Sequence, residues 1–377
     1  MASDGGVFPR PINPGERIDA IDVLRGLALL GVVAINVVNE FRVSIFEQFL
    51  SQKPAASPID SIIETILVLA VEMKALALFS LLFGAGLAIQ FERLANSERR
   101  TSLLIRRLAV LLAFGLIHLC LIWNGDILTE YALAGLIVLP FLFGPRWLLA
   151  IAALAFLGLY LAMQAFPPTG LFPSTATIAQ HVADATRIYA TGGFLDVLAF
   201  RLREIPLIVP LHAFIFPRTI GLFLLGAFAW RVGLLQNAPG RLLWIAAPCI
   251  GLGAALILSG AEALGTILLA LGYAAAIIGI ANLRCGKKLL GWAAPLGRMA
   301  FTNYLAQSLI FGWIFYGYGL GLFGRLGVTS ALAIGVAVYA AQVLFSAWWL
   351  GRCRYGPVEW LWRTLMYGEA QPMRQTA

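Results

Sequence analysis

His118, Asp126 and Glu130 fall together around one hairpin of apolar chain, and they are the residues best equipped for proton chemistry. Asn124, Gly125 and Asp126 make a turn too short to leave a membrane surface, and Glu130 lies one helical turn beyond Asp126. A carboxylate beside a histidine orients the ring and raises its basicity, which prepares a general base. The alternative is an interfacial hydrogen-bonding cluster with no reaction to serve.

A second set sits on the first apolar run, RIDAIDVLRGLALLGVVAINVVN (17–39), which carries Asp22, Arg25 and Asn36. At about 100° per residue, Arg25 and Asn36 return to one side of a helix and Asp22 comes close to it, so one face is polar from end to end. Ionisable residues inside a membrane span are costly and face a protein interior or a wet cavity, so this helix is expected to line one. Asp22 and Arg25, one turn apart, also suit a simple ion pair. The Asn36 amide can donate to a developing oxyanion. Further along, Arg218 beside Pro217, Lys74 at a membrane boundary, and Asn303 with Gln307 one turn on are candidate substrate contacts. Amides at that last spacing also join helices by hydrogen bonds, and Lys74 also suits snorkelling to the headgroups. His212, near Arg218 in sequence, lies on a different face of their helix.

The elements that must position these groups are membrane helices. Of 377 residues, 60% are hydrophobic and 12% charged, and the mean hydropathy is +0.85, a balance that excludes a soluble globule with a polar surface. The chain reads as an all-α, polytopic transmembrane helix bundle of about ten spans, over residues 17–39, 74–90, 103–123, 127–143, 147–166, 207–230, 242–258, 263–281, 297–321 and 329–350. A partly embedded helix over 61–71 precedes the second span. Gly84, Ala85, Gly86 and Ala88 give that span a small-residue surface for close helix contact. An amphipathic helix over 176–190 lies in the largest loop, with His181 and Asp184 expected on its solvated face.

Residues 1–18 form an expected cytoplasmic segment without the marks of a cleaved signal peptide, 19–351 the transmembrane domain, and 352–377 an interfacial helix and tail. Within the last part, GPVEWLWRTLMYG (356–368) suits a helix lying in the membrane surface, and the residues beyond it are expected to be unstructured. The net charge of +8 is carried in loops between apolar runs. The loop over 93–107, the segment over 284–298 and the C-terminal segment fall on one side, with the N-terminus. The positive-inside rule then places both termini in the cytoplasm of a bacterial inner membrane. No nucleic-acid partner is needed; the partner is the lipid bilayer. Asp22 and Arg25 then lie towards the cytoplasm, and Asn36, Lys74, His118, Asp126, Glu130 and His212 in the outer half.

Several chemistries are excluded. There is no P-loop, dinucleotide fingerprint, HExxH or GxSxG elbow. The four cysteines are scattered without metal spacing, and none of the three histidines is in a paired spacing, so no metal is expected. The two halves do not repeat each other, which argues against an inverted-repeat transporter.

The pattern I-D-x-L-R-G-x-A-L-L-G of the first span, followed by Asn36, resembles the opening of the YeiB-like bacterial membrane proteins, whose C-terminal part (about 210–370 here) is catalogued as a domain of unknown function. The resemblance continues in FSLLFGAGL (79–87), GLIHLCLIWNGDIL (115–128), GRMAFTNYLAQSLI (297–310) and GPVEWLWR (356–363). The first helix more distantly resembles membrane acyltransferases, including heparan-α-glucosaminide N-acetyltransferase and polysaccharide O-acetyltransferases. That likeness implies transfer of an acyl group from cytoplasmic acyl-coenzyme A, a co-substrate rather than a tightly bound cofactor, to an outer hydroxyl or amine on a small molecule or glycan. It implies His118 as base with Asp126 or Glu130 behind it, Asn36 as oxyanion donor, and Arg25, Arg99, Arg100, Arg106 and Arg107 as holders of phosphate. The O-acetyltransferases carry histidine where Asn36 stands. The glucosaminide enzyme carries its catalytic histidine at the position of Glu47, which makes Glu47 a rival base. The competing expectation is a transporter or exporter of a small molecule, in which the polar residues line a permeation route.

Overall fold

The fold is given by a computed structural model that describes residues 19–50, 57–168, 170, 173–237 and 239–374. The expected segment 1–18, with Arg17, lies outside the described residues. In chain order the helices are α1 (Asp19–Asn36), α2 (Pro58–Ala70), α3 (Lys74–Arg93), α4 (Arg100–Ile117), α5 (Leu128–Val138), α6 (Arg146–Ala165), α7 (Thr175–Thr191) and α8 (Phe194–Arg231). They continue as α9 (Leu234–Asn237), α10 (Pro239–Leu258), α11 (Glu262–Ala281), α12 (Arg284–Leu290), α13 (Ala294–Arg298), α14 (Ala300–Phe315), α15 (Val328–Leu350) and α16 (Pro357–Tyr367). The described residues form no named strand, as an all-α membrane bundle requires.

Among the described residues, eight helical stretches are long and apolar enough to cross a membrane. Two expected crossings are shorter. The fourth is α5 with a tight 3₁₀ turn over Leu139–Phe143, and the ninth reduces to the 16 residues of α14. A break at Met299 separates α14 from α13, and after Phe315 the chain doubles back: Leu320, Leu322 and Phe323 donate to the carbonyls of Trp313, Ile314 and Phe315. Gly321 and Gly324, both at positive φ, allow that reversal. The sixth crossing begins earlier than expected. α8 runs for 38 residues with Pro206, Pro210 and Pro217 inside it, so at 1.5 Å per residue it is about 57 Å long and outreaches a bilayer core.

Several helix starts have a local cause. Ser57 accepts from the Asp60 amide and Ser174 from the Thr177 amide, capping α2 and α7. Asp60 in turn reaches across to the Thr329 amide and hydroxyl and caps α15. α2 and α3 form one bent element, turned at Met73, the only described non-glycine residue with positive φ, at 60°. Lys74, buried at the bend, donates to the Val68 carbonyl at 2.9 Å and so satisfies the end of α2 rather than snorkelling to the headgroups.

The bundle closes on small residues. A Cβ at Gly84 would overlap the Phe223 carbonyl of α8, and one at Gly226 the Leu81 carbonyl, so α3 and α8 touch backbone to backbone. Gly26 and Gly297 bring α1 against α13 and its 3₁₀ lead-in in the same way. The largest apolar core joins α1, α3, α4, α5, α8 and α14. The expected amphipathic helix is α7. The expected interfacial helix is α16, which packs on α4 and α14 rather than lying free on a surface. The tail is not loose as far as residue 374: Arg354 donates to the Met373 carbonyl and Trp360 to that of Gln371.

Candidate functional site

A cavity of about 340 Å³ opens among α1, α3, α4, α14 and α16. Its mouth carries Arg25, Arg93, Arg107, Arg298, Arg354 and Arg363. Facing them are two carboxylates. Asp22 is taken by Arg25 at 2.7 Å. Glu359 accepts from the amides of Phe301 and Thr302 at 2.8 and 3.0 Å, closing the start of α14. Burial pushes the Glu359 carboxyl up from its ordinary range, and the hydrogen bonds from Thr302 oppose that shift. The mouth is therefore strongly cationic. Inward the lining turns apolar through Leu29, Val32, Phe83 and Leu111 and ends at Ile127, Leu128, Tyr131 and Tyr304. Along α1 the lining runs from Ile21 to Val32, about 17 Å at the helical rise.

Behind that inner wall lies a buried relay. His118 opens a π-helical turn, His118–Ile122, that ends α4. Its Nδ1 stands 2.8 Å from Asp126 Oδ1 and its Nε2 2.9 Å from Ser308 Oγ. Asp126 also accepts from the amides of Leu128 and Thr129, at 3.1 and 2.7 Å, which caps α5. His118 has no solvent exposure, and Asp126 and Ser308 are each 2% exposed. A carboxylate already holding two amide protons accepts the third from Nδ1–H. That fixes the tautomer and leaves the Nε2 lone pair towards the serine hydroxyl.

Asp126 and Glu130 do not share this histidine. Glu130 turns to α8, where it meets His212 Nδ1 at 2.6 Å and accepts from the Thr219 hydroxyl at 2.5 Å. His181 also departs from expectation. It lies against Glu204, with Nε2 2.6 Å from Oε1, and its ring stacks on Phe200. Tyr189 and Asn124 donate to the same carboxylate. Asp184 does lie on a solvated face, paired with Arg187. The chain's three histidines are thus each matched to one buried carboxylate. Arg218 is 1% exposed, with Nε and Nη1 lacking hydrogen-bond partners and its guanidinium carbon 5.7 Å from the centre of the Tyr160 ring.

The structure separates the remaining candidates. Arg25 lines the cavity; Asn36, half-buried at the end of α1, does not. Of the arginines over 99–107, only Arg107 reaches the mouth, stacked 4.1 Å over Trp362. Arg100 stacks on Phe91, and Arg99 and Arg106 are exposed. Asn303 donates to Ser346 at 3.0 Å, and Gln307 to Gln342 at 2.6 Å, so both amides fasten α14 to α15. Glu47 sits half-buried in a 3₁₀ turn, Ile45–Phe49, away from the cavity lining.

Three features went beyond sequence reasoning. Arg298 and Arg363 stand inside the recognised blocks 297–310 and 356–363 yet were indistinguishable there from orientation charges. Ser308 stood one turn from Tyr304 without any sign that His118 would meet it. Glu204 was the one acid of α8 beyond its first turn, where Asp196 sits, and a carboxylate so placed within an apolar helix was its signal.

Residues 221–369 match a family described as a protein of unknown function, DUF418. Over nearly its whole length the chain is also similar to uncharacterised bacterial proteins. One is YxaH of Bacillus subtilis, 33% identical over 97% of this chain and 98% of the relative. Another is YeiB of Escherichia coli, 31% identical over 95% and 98%. A third is an uncharacterised protein from the amylase 3′ region of Bacillus acidopullulyticus, 31% identical over 96% and 97%.

Proposed function

The chain belongs to the YeiB-like family of membrane proteins, and from that premise we propose that it is an integral membrane acyltransferase. It takes an acyl group from acyl-coenzyme A and passes it to a hydroxyl or amine on the opposite side of the bilayer, on a small molecule or glycan. The observation that carries this reading is the cavity, cationic at its mouth and apolar within, whose inner-wall residues Tyr304 and Leu128 are contacted from behind by His118 and Asp126. The arginine cluster suits the phosphates of the donor, because guanidinium groups bind phosphate in a fixed fork. The apolar length suits the arm that carries the thioester. The positive-inside rule favours a cytoplasmic mouth in a bacterial cytoplasmic membrane.

In this reading His118 takes the proton released as the acyl carbon is attacked, with Asp126 stabilising the imidazolium that forms. The leaving thiol carries the proton away. Tyr304 closes the inner wall and must turn for the donor carbonyl to meet the relay.

The test uses purified protein in lipid nanodiscs. Titration with acyl-coenzyme A should show saturable binding and release of free thiol, both lost in Gly86→Leu. Gly86 lines the cavity and a Cβ there meets nothing within 4 Å, so the larger side chain fills the cavity without disturbing a helix contact. Absence of binding and turnover would sink the reading. Solute flux by vesicles containing protein that transfers no acyl group would put a transporter in its place.

A further inference from the structure

We propose that Ser308 is an acyl-accepting nucleophile, so that the transfer proceeds in two steps through an acyl-Ser308 enzyme. This rests on the acyltransferase reading and specifies its chemistry. The reason lies in the valences of His118. Nδ1 is committed to Asp126 at 2.8 Å and Nε2 to Ser308 at 2.9 Å, so neither ring nitrogen is open to a proton from an outside acceptor. The hydroxyl that His118 can activate as it stands is that of Ser308. A serine, a histidine and a carboxylate in sequence, with the carboxylate held by two further donors, is the arrangement that makes a serine nucleophilic.

Ser308 Oγ also lies 3.3 Å from the Tyr304 carbonyl. That longer contact gives the hydroxyl a resting partner when His118 is protonated. Ser308 and Tyr304 are one turn apart on α14, and Tyr304 lines the cavity while its ring packs 5.2 Å from that of His118. Turning one side chain therefore joins the donor cavity to the nucleophile.

The steps balance. The Ser308 proton passes to His118 Nε2 as Oγ bonds the thioester carbon; the C–S bond breaks and the thiolate leaves with that proton. In the second step the acceptor hydroxyl or amine gives its proton to His118 and bonds the acyl carbon. The acyl–Oγ bond breaks, and Ser308 recovers its proton from His118.

The experiment incubates the full-length protein in nanodiscs with isotopically heavy acyl-coenzyme A and no acceptor, followed by acid quench and peptide mass mapping. Wild type should carry one heavy acyl group on the peptide containing residue 308, and Ser308→Ala none, with transfer lowered at least ~100-fold. Ser308→Cys guards against a merely structural loss: it should trap the acyl group as a thioester that neutral hydroxylamine releases. Donor turnover by wild type with no adduct at residue 308 in either wild type or Ser308→Cys overturns the nucleophile while leaving acyl transfer standing. No turnover and no binding of donor by wild type removes both.

Discussion

The ring of Tyr304 packs 5.2 Å from the ring of His118 and at the same time forms part of the cavity wall. One aromatic side chain thus touches both a basic, apolar-throated cavity and a fully buried histidine.

Chemical accessibility of the histidines follows from that arrangement. Diethyl pyrocarbonate mapped by mass spectrometry should modify His212, whose side chain is 30% exposed, ahead of His181 at 12%, and should spare His118 at 0%. Tyr304→Gly should bring His118 into the reactive set. Prompt modification of wild-type His118 would contradict its burial.

His118→Ala and Asn36→Ala carry the original expectation that both act on the reaction, each lowering acyl transfer at least ~100-fold. Asn36 stands outside the cavity lining, so the two substitutions separate. Loss with His118→Ala alone assigns the chemistry to the relay, and loss with Asn36→Ala alone moves it to the end of α1. Glu47→Gln should leave the rate within about twofold, because that residue is remote from the lining; a larger loss returns the base role to Glu47.

The glycines of α3 provide a stability test with an internal control. Gly84→Ala should destabilise the bundle by several kcal/mol, because its Cβ has nowhere to go but into the Phe223 carbonyl. Gly86→Ala, one residue pair further on, should sit within ~0.5 kcal/mol of wild type or above it. Thermal aggregation in detergent ranks them, and equal behaviour would mean that α3 and α8 are not in backbone contact.

Sidedness can be read from a native thiol. Cys285 is exposed on the basic side, and Leu195, 75% exposed, begins α8 on the opposite side. In intact cells a membrane-impermeant maleimide should pass over Cys285 and label Leu195→Cys. The reverse pattern would turn the protein over in the membrane and take the proposed donor site away from the cytoplasm.

His181→Ala should cost ~1–3 kcal/mol, because the buried Glu204 would keep its Tyr189 and Asn124 partners but lose the imidazole hydrogen bond. A neutral result would restore the solvated face that the pattern of α7 suggests.

Much of this architecture is written in runs of apolar residues, because a bilayer demands helices of fixed length and leaves few alternatives. The pairing of His118 with Asp126 was legible for the same reason: a short turn between two helices keeps its residues together. Partnerships between distant helices were not. Glu130 looked equivalent to Asp126 until α8 supplied His212 and Thr219, and the helical face of α1 placed Asn36 in line with Arg25 without showing where the cavity ends. The arginines of 99–107 illustrate a different limit. Positive charge that orients a helix and positive charge that lines a cavity are the same residue type, and only the packing of α16 over Arg107 sets that residue apart.

The cap that Glu359 places on α14 ties two distant places by one stiff rod. α16 roofs the cavity mouth, its carboxylate grips the first amides of α14, and the same 16-residue helix, about 24 Å long, carries Tyr304 and Ser308 towards its middle. The roof of the cavity and the buried serine are thus mounted on a single helix, as a latch and its bolt are mounted on one bar.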